Sequence, residues 1–294
     1  MYRDKNISFI VNPIAGGRKK SHFENLLKMY KEESGLNASI IYTRYAAHAY
    51  EIAIEEVKKG TDTIIAVGGD GTINEVARAL IDTEVTLGVI PLGSGNGFAR
   101  HFQYPLNEKK ALKIILNNSS IKIDVGFVND KPFFCTSGLG FDAETSYVFS
   151  QHSARGFFVY ALSFFKVIRS FRPGKYKIKL DDKIIEKEAY IINVANISQF
   201  GYHFYISPEA SASDGYLDLV IIRKFPRFRG IVLAIRSFFG SIHKSKFVEV
   251  YKVRVIDIFQ PESKKIIHID GDPEIGEDTL SYRIKERCLR VILP

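Results

Sequence analysis

Short apolar runs and longer amphipathic stretches take turns along the first hundred residues. Residues 7–11, 38–43, 63–67 and 86–90 are runs of strand length, each closed by turn residues. Phe23, Leu26, Leu27 and Tyr30 recur at helical spacing, residues 46–59 form a second helical stretch and residues 75–81 a third. Strand, helix, strand at this rhythm predicts a doubly wound parallel sheet covered on both faces. Ligands of such sheets sit at the C-terminal ends of the strands, and Asn12, Thr43 and Gly68 all follow a strand.

After Asp124 the pattern changes. β-rich segments recur at 133–136, 176–180, 184–195, 217–222, 247–258, 266–269 and 280–293. Many alternate, as in Tyr176-Lys177-Ile178-Lys179-Leu180, which predicts an antiparallel β-sandwich or barrel. The reading is therefore a two-domain chain. Residues 1–125 form an α/β nucleotide-binding domain, and residues 126–294 a β-sandwich with added helices. The helices are apolar stretches at 157–171 and 231–239, the second preceded by a run of cations and aromatics, Arg223-Lys224-Phe225-Pro226-Arg227-Phe228-Arg229. Such a run suits an anionic bilayer surface, and equally a packed helix with a solvated basic turn.

Composition narrows the picture. With 46% hydrophobic and 25% charged residues the chain is of soluble globular type, and 294 residues suffice for two medium domains. Two cysteines make no disulfide framework and no metal cluster, so a reducing cytoplasm is expected. No apolar run nears the ~18 residues of a membrane span, and the start of the chain is read as carrying no signal peptide. A net charge of +8 favours an anionic partner: a nucleotide, a nucleic acid or a membrane face.

Three polar, glycine-rich turns carry the candidate chemistry. Asn12-Pro13-Ile14-Ala15-Gly16-Gly17 follows the first strand and leads into Arg18-Lys19-Lys20; Gly68-Gly69-Asp70-Gly71-Thr72 follows the third; Gly93-Ser94-Gly95-Asn96-Gly97 follows the fourth. Glycines let a phosphate reach main-chain N–H groups, and a helix N-terminus adds positive potential. Asp70 would repel that phosphate without a cation between them, which argues for Mg²⁺. A bare Gly-Gly-Asp-Gly serves equally as a tight turn, but three such loops are hard to explain that way.

These motifs resemble the nucleotide-binding motifs of the diacylglycerol kinase catalytic family, which includes bacterial lipid kinases and the sphingosine and ceramide kinases. The Gly-Gly-Asp-Gly element is shared more distantly with NAD kinases and phosphofructokinases, whose fold is expected for the first domain. Ile123-Asp124-Val125-Gly126, Gly138-Leu139-Gly140-Phe141-Asp142-Ala143, Ser213-Asp214-Gly215-Tyr216-Leu217-Asp218 and Ile269-Asp270-Gly271-Asp272 extend the resemblance along the chain.

The resemblance implies an ATP-dependent lipid kinase with its active site between the domains. Asn12, Pro13, Ile14, Ala15, Gly16, Thr43, Gly68, Gly69, Asp70, Gly71, Thr72, Ile73, Asn74, Glu75, Ser94, Gly95 and Asn96 are expected to hold the nucleotide. Asp70 and Asp124 are expected to hold the catalytic Mg²⁺. Asp214, with main-chain oxygens of Ser211 and Tyr216, is expected to hold a structural Mg²⁺, although an Asp-Gly turn needs no metal. Asp272 stands where the family most often has Glu; it is read as the base, with Asp270 orienting it.

The substrate expected is a membrane lipid of the diacylglycerol type, with a sphingoid base or ceramide as the alternative. A non-catalytic nucleotide or lipid sensor is the alternative of another class. Cytoplasmic location, peripheral contact with an anionic membrane and no nucleic-acid partner complete the reading. A homodimer stays open.

Overall fold

The computed structural model describes residues 6–17, 20–34, 37–117, 119–152, 156–180, 183–226, 228–260 and 265–294. Arg18, Lys19 and Arg227, three of the cations noted above, lie outside them. The chain divides into two compact units, residues 1–123 with 287–294, and residues 124–286.

The first unit runs β1 (Ile7–Val11), α1 (Lys20–Ser34), β2 (Ala38–Tyr42), α2 (His48–Lys58), β3 (Thr63–Gly68), α3 (Asp70–Leu80), β4 (Thr86–Pro91), α4 (Gly97–His101) and α5 (Glu108–Asn117). Its strands pair in parallel in the order β2-β1-β3-β4. All of β1, β3 and β4 is buried, which is why these runs read as continuously apolar rather than alternating. One core joins Phe9, Phe23 and Leu27 to Val67, Ile90 and Leu112.

β5 (Ser120–Val128) carries the chain into the second unit. That unit holds β6 (Lys131–Phe133), β7 (Thr136–Gly140), α6 (Phe141–Ser150), α7 (Phe157–Ser170), β8 (Gly174–Leu180), β9 (Lys183–Ala195), β10 (Leu217–Arg223), α8 (Arg229–Phe238), β11 (Val248–Val253), β12 (Val255–Phe259), β13 (Ile266–Ile269), β14 (Asp272–Ile275) and most of β15 (Thr279–Ile292). The pairings described among these strands by register are antiparallel. The long β9 pairs with β8 along its first half, and with β7 and β10 along its second. The inward residues Tyr176, Ile178, Ile192, Val194, Ile256, Ile258, Ile267, Ile269 and Tyr282 make one core. This is the β-sandwich expected from alternation.

Four details differ from the sequence reading. The unit boundary falls at 123/124 rather than 125/126, and residues 287–294 return to the first unit, where Arg290 and Val291 pair in parallel with Thr86 and Leu87. An edge partner so far along the chain leaves no mark in local periodicity. The expected strand at 133–136 breaks at 134–135, between β6 and β7, where main-chain donors turn to a side chain described below. The expected strand 247–258 is two, split at Arg254. Finally, the helix after Gly69 begins at Asp70 itself, not near Glu75.

Candidate functional site

In the first unit the glycine loops form a single packed body. Gly69 and Gly93 meet main chain to main chain: a Cβ on Gly93 would stand 2.6 Å from Gly69 Cα. Gly16 sits against Leu92, whose carbonyl oxygen lies 2.8 Å from where a Cβ would be, and its φ of 70° suits glycine. Asn12 donates through Nδ2 to Thr72 Oγ1 at 3.1 Å and accepts the Ile14 N–H at 3.1 Å, an Asx turn that shapes its own loop. The loops after β1, β3 and β4 are therefore brought together as expected.

Asp70 occupies the first turn of α3, where a carboxylate suits the helix dipole. Burial pushes its carboxyl pKa up, against the opposing pull of the N–H groups of Asn96, Gly97, Phe98 and Asp70 itself. Asp70 thus ties the third loop to the second. Its Oδ1 is buried with no hydrogen-bond partner, as is Asn96 Oδ1. A desolvated, bare carboxylate oxygen among glycine loops is a fit for a divalent cation. Asn96 takes a left-handed conformation and donates to Gly93 O at 2.7 Å.

Several predicted residues do supporting work. Glu75 accepts the N–H groups of Ala47 and Ala49, both at 3.0 Å, and so holds the segment after Thr43 at the start of α2. Ile73 is buried in the core and leaves only its main chain. Arg100, which sequence reasoning missed, donates to Gly95 O at 3.0 Å. A concavity of about 370 Å³ in this unit is lined by Asp62, Thr86, Ser120 and Arg290, at the N-terminal ends of β3 and β4, away from the glycine loops.

The second unit holds the remaining carboxylates. Asp270 (φ 50°) and Gly271 (φ 90°) make the two-residue turn between β13 and β14. The Asp270 carboxylate accepts three main-chain N–H groups: Phe134 at 2.8 Å, Cys135 at 2.7 Å and Thr136 at 3.0 Å. Asp272 starts β14 and is exposed. The turn thus presents one anchored carboxylate and one accessible one.

Asp124 is buried, and its Oδ2 accepts the Gly215 N–H at 2.8 Å while its own N–H reaches Ala212 O at 2.7 Å. Asn196 Nδ2 bridges Asp124 O at 3.0 Å and Phe134 O at 3.1 Å. A continuous polar chain therefore runs from Asp270 through Phe134 and Asn196 to Asp124 and Gly215. Asp214 donates nothing to it; its Oδ1 accepts the Tyr216 N–H at 3.1 Å and its Oδ2 meets Lys252 Nζ at 2.6 Å. Among the described residues no three His, Cys, Asp or Glu side chains converge as a metal site.

A buried polar cluster behind the Asp270 turn also escaped the sequence reading. His268 Nε2 lies 3.1 Å from Asp142 Oδ2, and Asn193 Nδ2 donates to the same oxygen at 3.0 Å. Gly138 leaves room for all three, since a Cβ there would stand 2.6 Å from Asp142 Oδ2. Asp142 lies in the Gly-Leu-Gly-Phe-Asp motif that the sequence did single out.

α7 and α8 touch where Gly230 lies against Ile168 and Phe225. Phe158, Leu162 and Phe165 form an exposed stripe on α7; Ile231, Ile235 and Phe238 form one on α8, with Phe239 beyond it 81% exposed. No Asp or Glu occurs between Glu144 and Asp181 or between Asp218 and Glu249, a charge pattern legible in the sequence. No described helix is long and apolar enough to cross a membrane.

Comparison with known proteins also matches the chain in two parts. A diacylglycerol kinase catalytic domain model matches residues 6–128, and a YegS C-terminal NAD kinase beta sandwich-like domain model matches residues 136–293. A diacylglycerol kinase of Bacillus subtilis is 31% identical over 91% of this chain and 90% of its own length. A probable lipid kinase YegS-like protein of Chromohalobacter salexigens is 27% identical over 84% of this chain and 81% of its own. The crystal structure of a putative diacylglycerol kinase from Bacillus anthracis str. Sterne superposes with a TM-score of 0.80 at 23% identity, covering 99% of this chain and 97% of its own.

Proposed function

Since this chain belongs to the diacylglycerol kinase family, we propose that it is a lipid kinase that moves the γ-phosphoryl group of ATP onto the hydroxyl of a diacylglycerol-like lipid. The observation that carries this reading is the contact of Gly69 with Gly93, which joins the glycine loops into one cradle of main-chain donors. Phosphoryl transfer asks for positioning, charge neutralisation and a base. The loops at residues 12–16, 68–74 and 94–96 bind and orient the triphosphate through those of their main-chain N–H groups that the loops themselves do not engage. Asp70, whose Oδ1 lacks a partner, would hold Mg²⁺ directly or through water. When bound, that ion supplies neutralisation of phosphate charge.

Asp272 takes the proton of the lipid hydroxyl, because it is the accessible carboxylate of the turn. Asp270, whose carboxylate accepts three main-chain N–H groups, serves to fix the turn. The acid-free, apolar faces of α7 and α8 rest on an anionic membrane from its cytoplasmic side, where the lipid resides.

The test is an acceptor panel with labelled ATP: diacylglycerol, ceramide, a sphingoid base and NAD. The reading expects label in phosphatidate. Preference for ceramide or a sphingoid base would move the acceptor within the lipid kinases. Label in NADP, or binding of ATP without turnover on any acceptor, would overturn it.

A further inference from the structure

We infer that Lys252 supplies, as an ammonium group, the structural cation of the Ser211–Tyr216 loop, so that this chain holds no divalent ion there. This inference is independent of the lipid acceptor. It begins from the two oxygens of Asp214. Oδ1 accepts the Tyr216 N–H at 3.1 Å, and Oδ2 meets Lys252 Nζ at 2.6 Å. The same Nζ lies 3.1 Å from Oδ1 of Asp218, which is buried and whose Oδ2 accepts Ser207 Oγ at 2.5 Å. One ammonium is therefore shared by two carboxylates, one of them desolvated. A divalent ion at Asp214 would have to expel it.

The lysine is placed by the fold rather than by chance reach. Lys252 lies directly across the β10–β11 ladder from Asp218. Burial works against its charge, but the hydrogen bond to Asp214 and the charges of Asp218 and Asp214 outweigh that and raise its pKa. A second cation grips the loop nearby: the Arg254 guanidinium stacks 4.9 Å from the Tyr216 ring centroid and pairs with Glu286 at 2.6 Å. Ser211 Oγ pairs with Ser213 Oγ at 3.2 Å. Because Gly215 donates to Asp124, this loop sets the position of that carboxylate. Lys252 is thus a positioning residue at one remove from Asp124.

The experiment counts divalent ions and follows stability on the nucleotide-free protein. Mn²⁺ titration is expected to give wild type and Asp214→Asn the same number of sites. Millimolar Mg²⁺ is expected to leave the melting temperature of the wild type unchanged relative to Asp214→Asn. Lys252→Met is expected to lower the melting temperature by at least about 2 °C, to regain it with Mg²⁺, and to lose that response when Asp214→Asn is added. Lys252→Arg keeps the charge and is expected to stay insensitive to Mg²⁺, which serves if Lys252→Met does not fold. One Mn²⁺ site present in wild type and absent in Asp214→Asn would overturn the inference. So would a Lys252→Met protein with unchanged melting temperature and no Mg²⁺ response. Neither result depends on which lipid is phosphorylated.

Discussion

Gly93 and Gly69 approach so closely that a methyl group on Gly93 would collide: its Cβ would lie 2.6 Å from Gly69 Cα and 2.7 Å from Asn96 Oδ1. Neither neighbour can move aside, since one is main chain and the other belongs to a side chain that closes its own loop through Gly93 O. Gly93→Ala is expected to cost roughly 1–3 kcal/mol of stability and to weaken ATP binding far more than that loss explains. Calorimetric ATP titration beside thermal melting separates the two effects. Unchanged ATP affinity would remove the loops from the nucleotide site.

Asp270 and Asp272 separate anchoring from chemistry. Asp270→Asn weakens the acceptor for three main-chain N–H groups and is expected to destabilise the protein by about 1–3 kcal/mol. Asp272→Asn leaves that anchor untouched and is expected to melt like the wild type while kcat falls by roughly 100-fold or more. Steady-state kinetics at saturating ATP, with melting curves for both variants, check this. Near-normal turnover by Asp272→Asn would place the base elsewhere.

The α7–α8 face predicts a split between membrane and dispersed substrate. Replacing Ile235 and Phe239 by Asp is expected to reduce binding to anionic vesicles about tenfold or more. ATP affinity and turnover of detergent-dispersed lipid should stay the same. Vesicle co-sedimentation measures the first and a mixed-micelle assay the second. Equal loss in both assays would make the face structural.

His101 sets a pH dependence of stability. Burial lowers its pKa from 6.5 to about 4, so the folded chain keeps the ring neutral while the unfolded chain protonates it. Its contribution is complete above about pH 6.5 and is lost as pH falls towards about 4. From this group alone, stability at about pH 5 should be about 2 kcal/mol below that at about pH 7. Urea unfolding at both pH values should show the difference shrink in His101→Gln.

Much of this was legible in the chain because it is local. The buried strands β1, β3 and β4 announce themselves as unbroken apolar runs, and β8 as alternation of Tyr176 and Ile178 with lysines. The glycine motifs stand at strand ends, and three of them in one sheet outweigh the ordinary-turn reading. What escaped is long-range. Asp270 takes its N–H donors from residues 134–136, so a segment that scores as strand is instead a nest for a carboxylate. Lys252 reaches Asp214 only because β10 and β11 pair in one register. Asn193, His268 and Asp142 meet through tertiary packing alone. The early start of α3 at Asp70 was hidden because Gly71 and Thr72 are weak helix formers.

The central claim is that a triphosphate held by glycine loops gives its terminal phosphate to a membrane lipid. Incubation of the purified protein with γ-labelled ATP, Mg²⁺ and a total lipid extract tests it in one step. The expected result is label in a single organic-phase product, absent with Asp272→Asn. Label that remains entirely in the aqueous phase, with ATP bound but not consumed, would contradict the account.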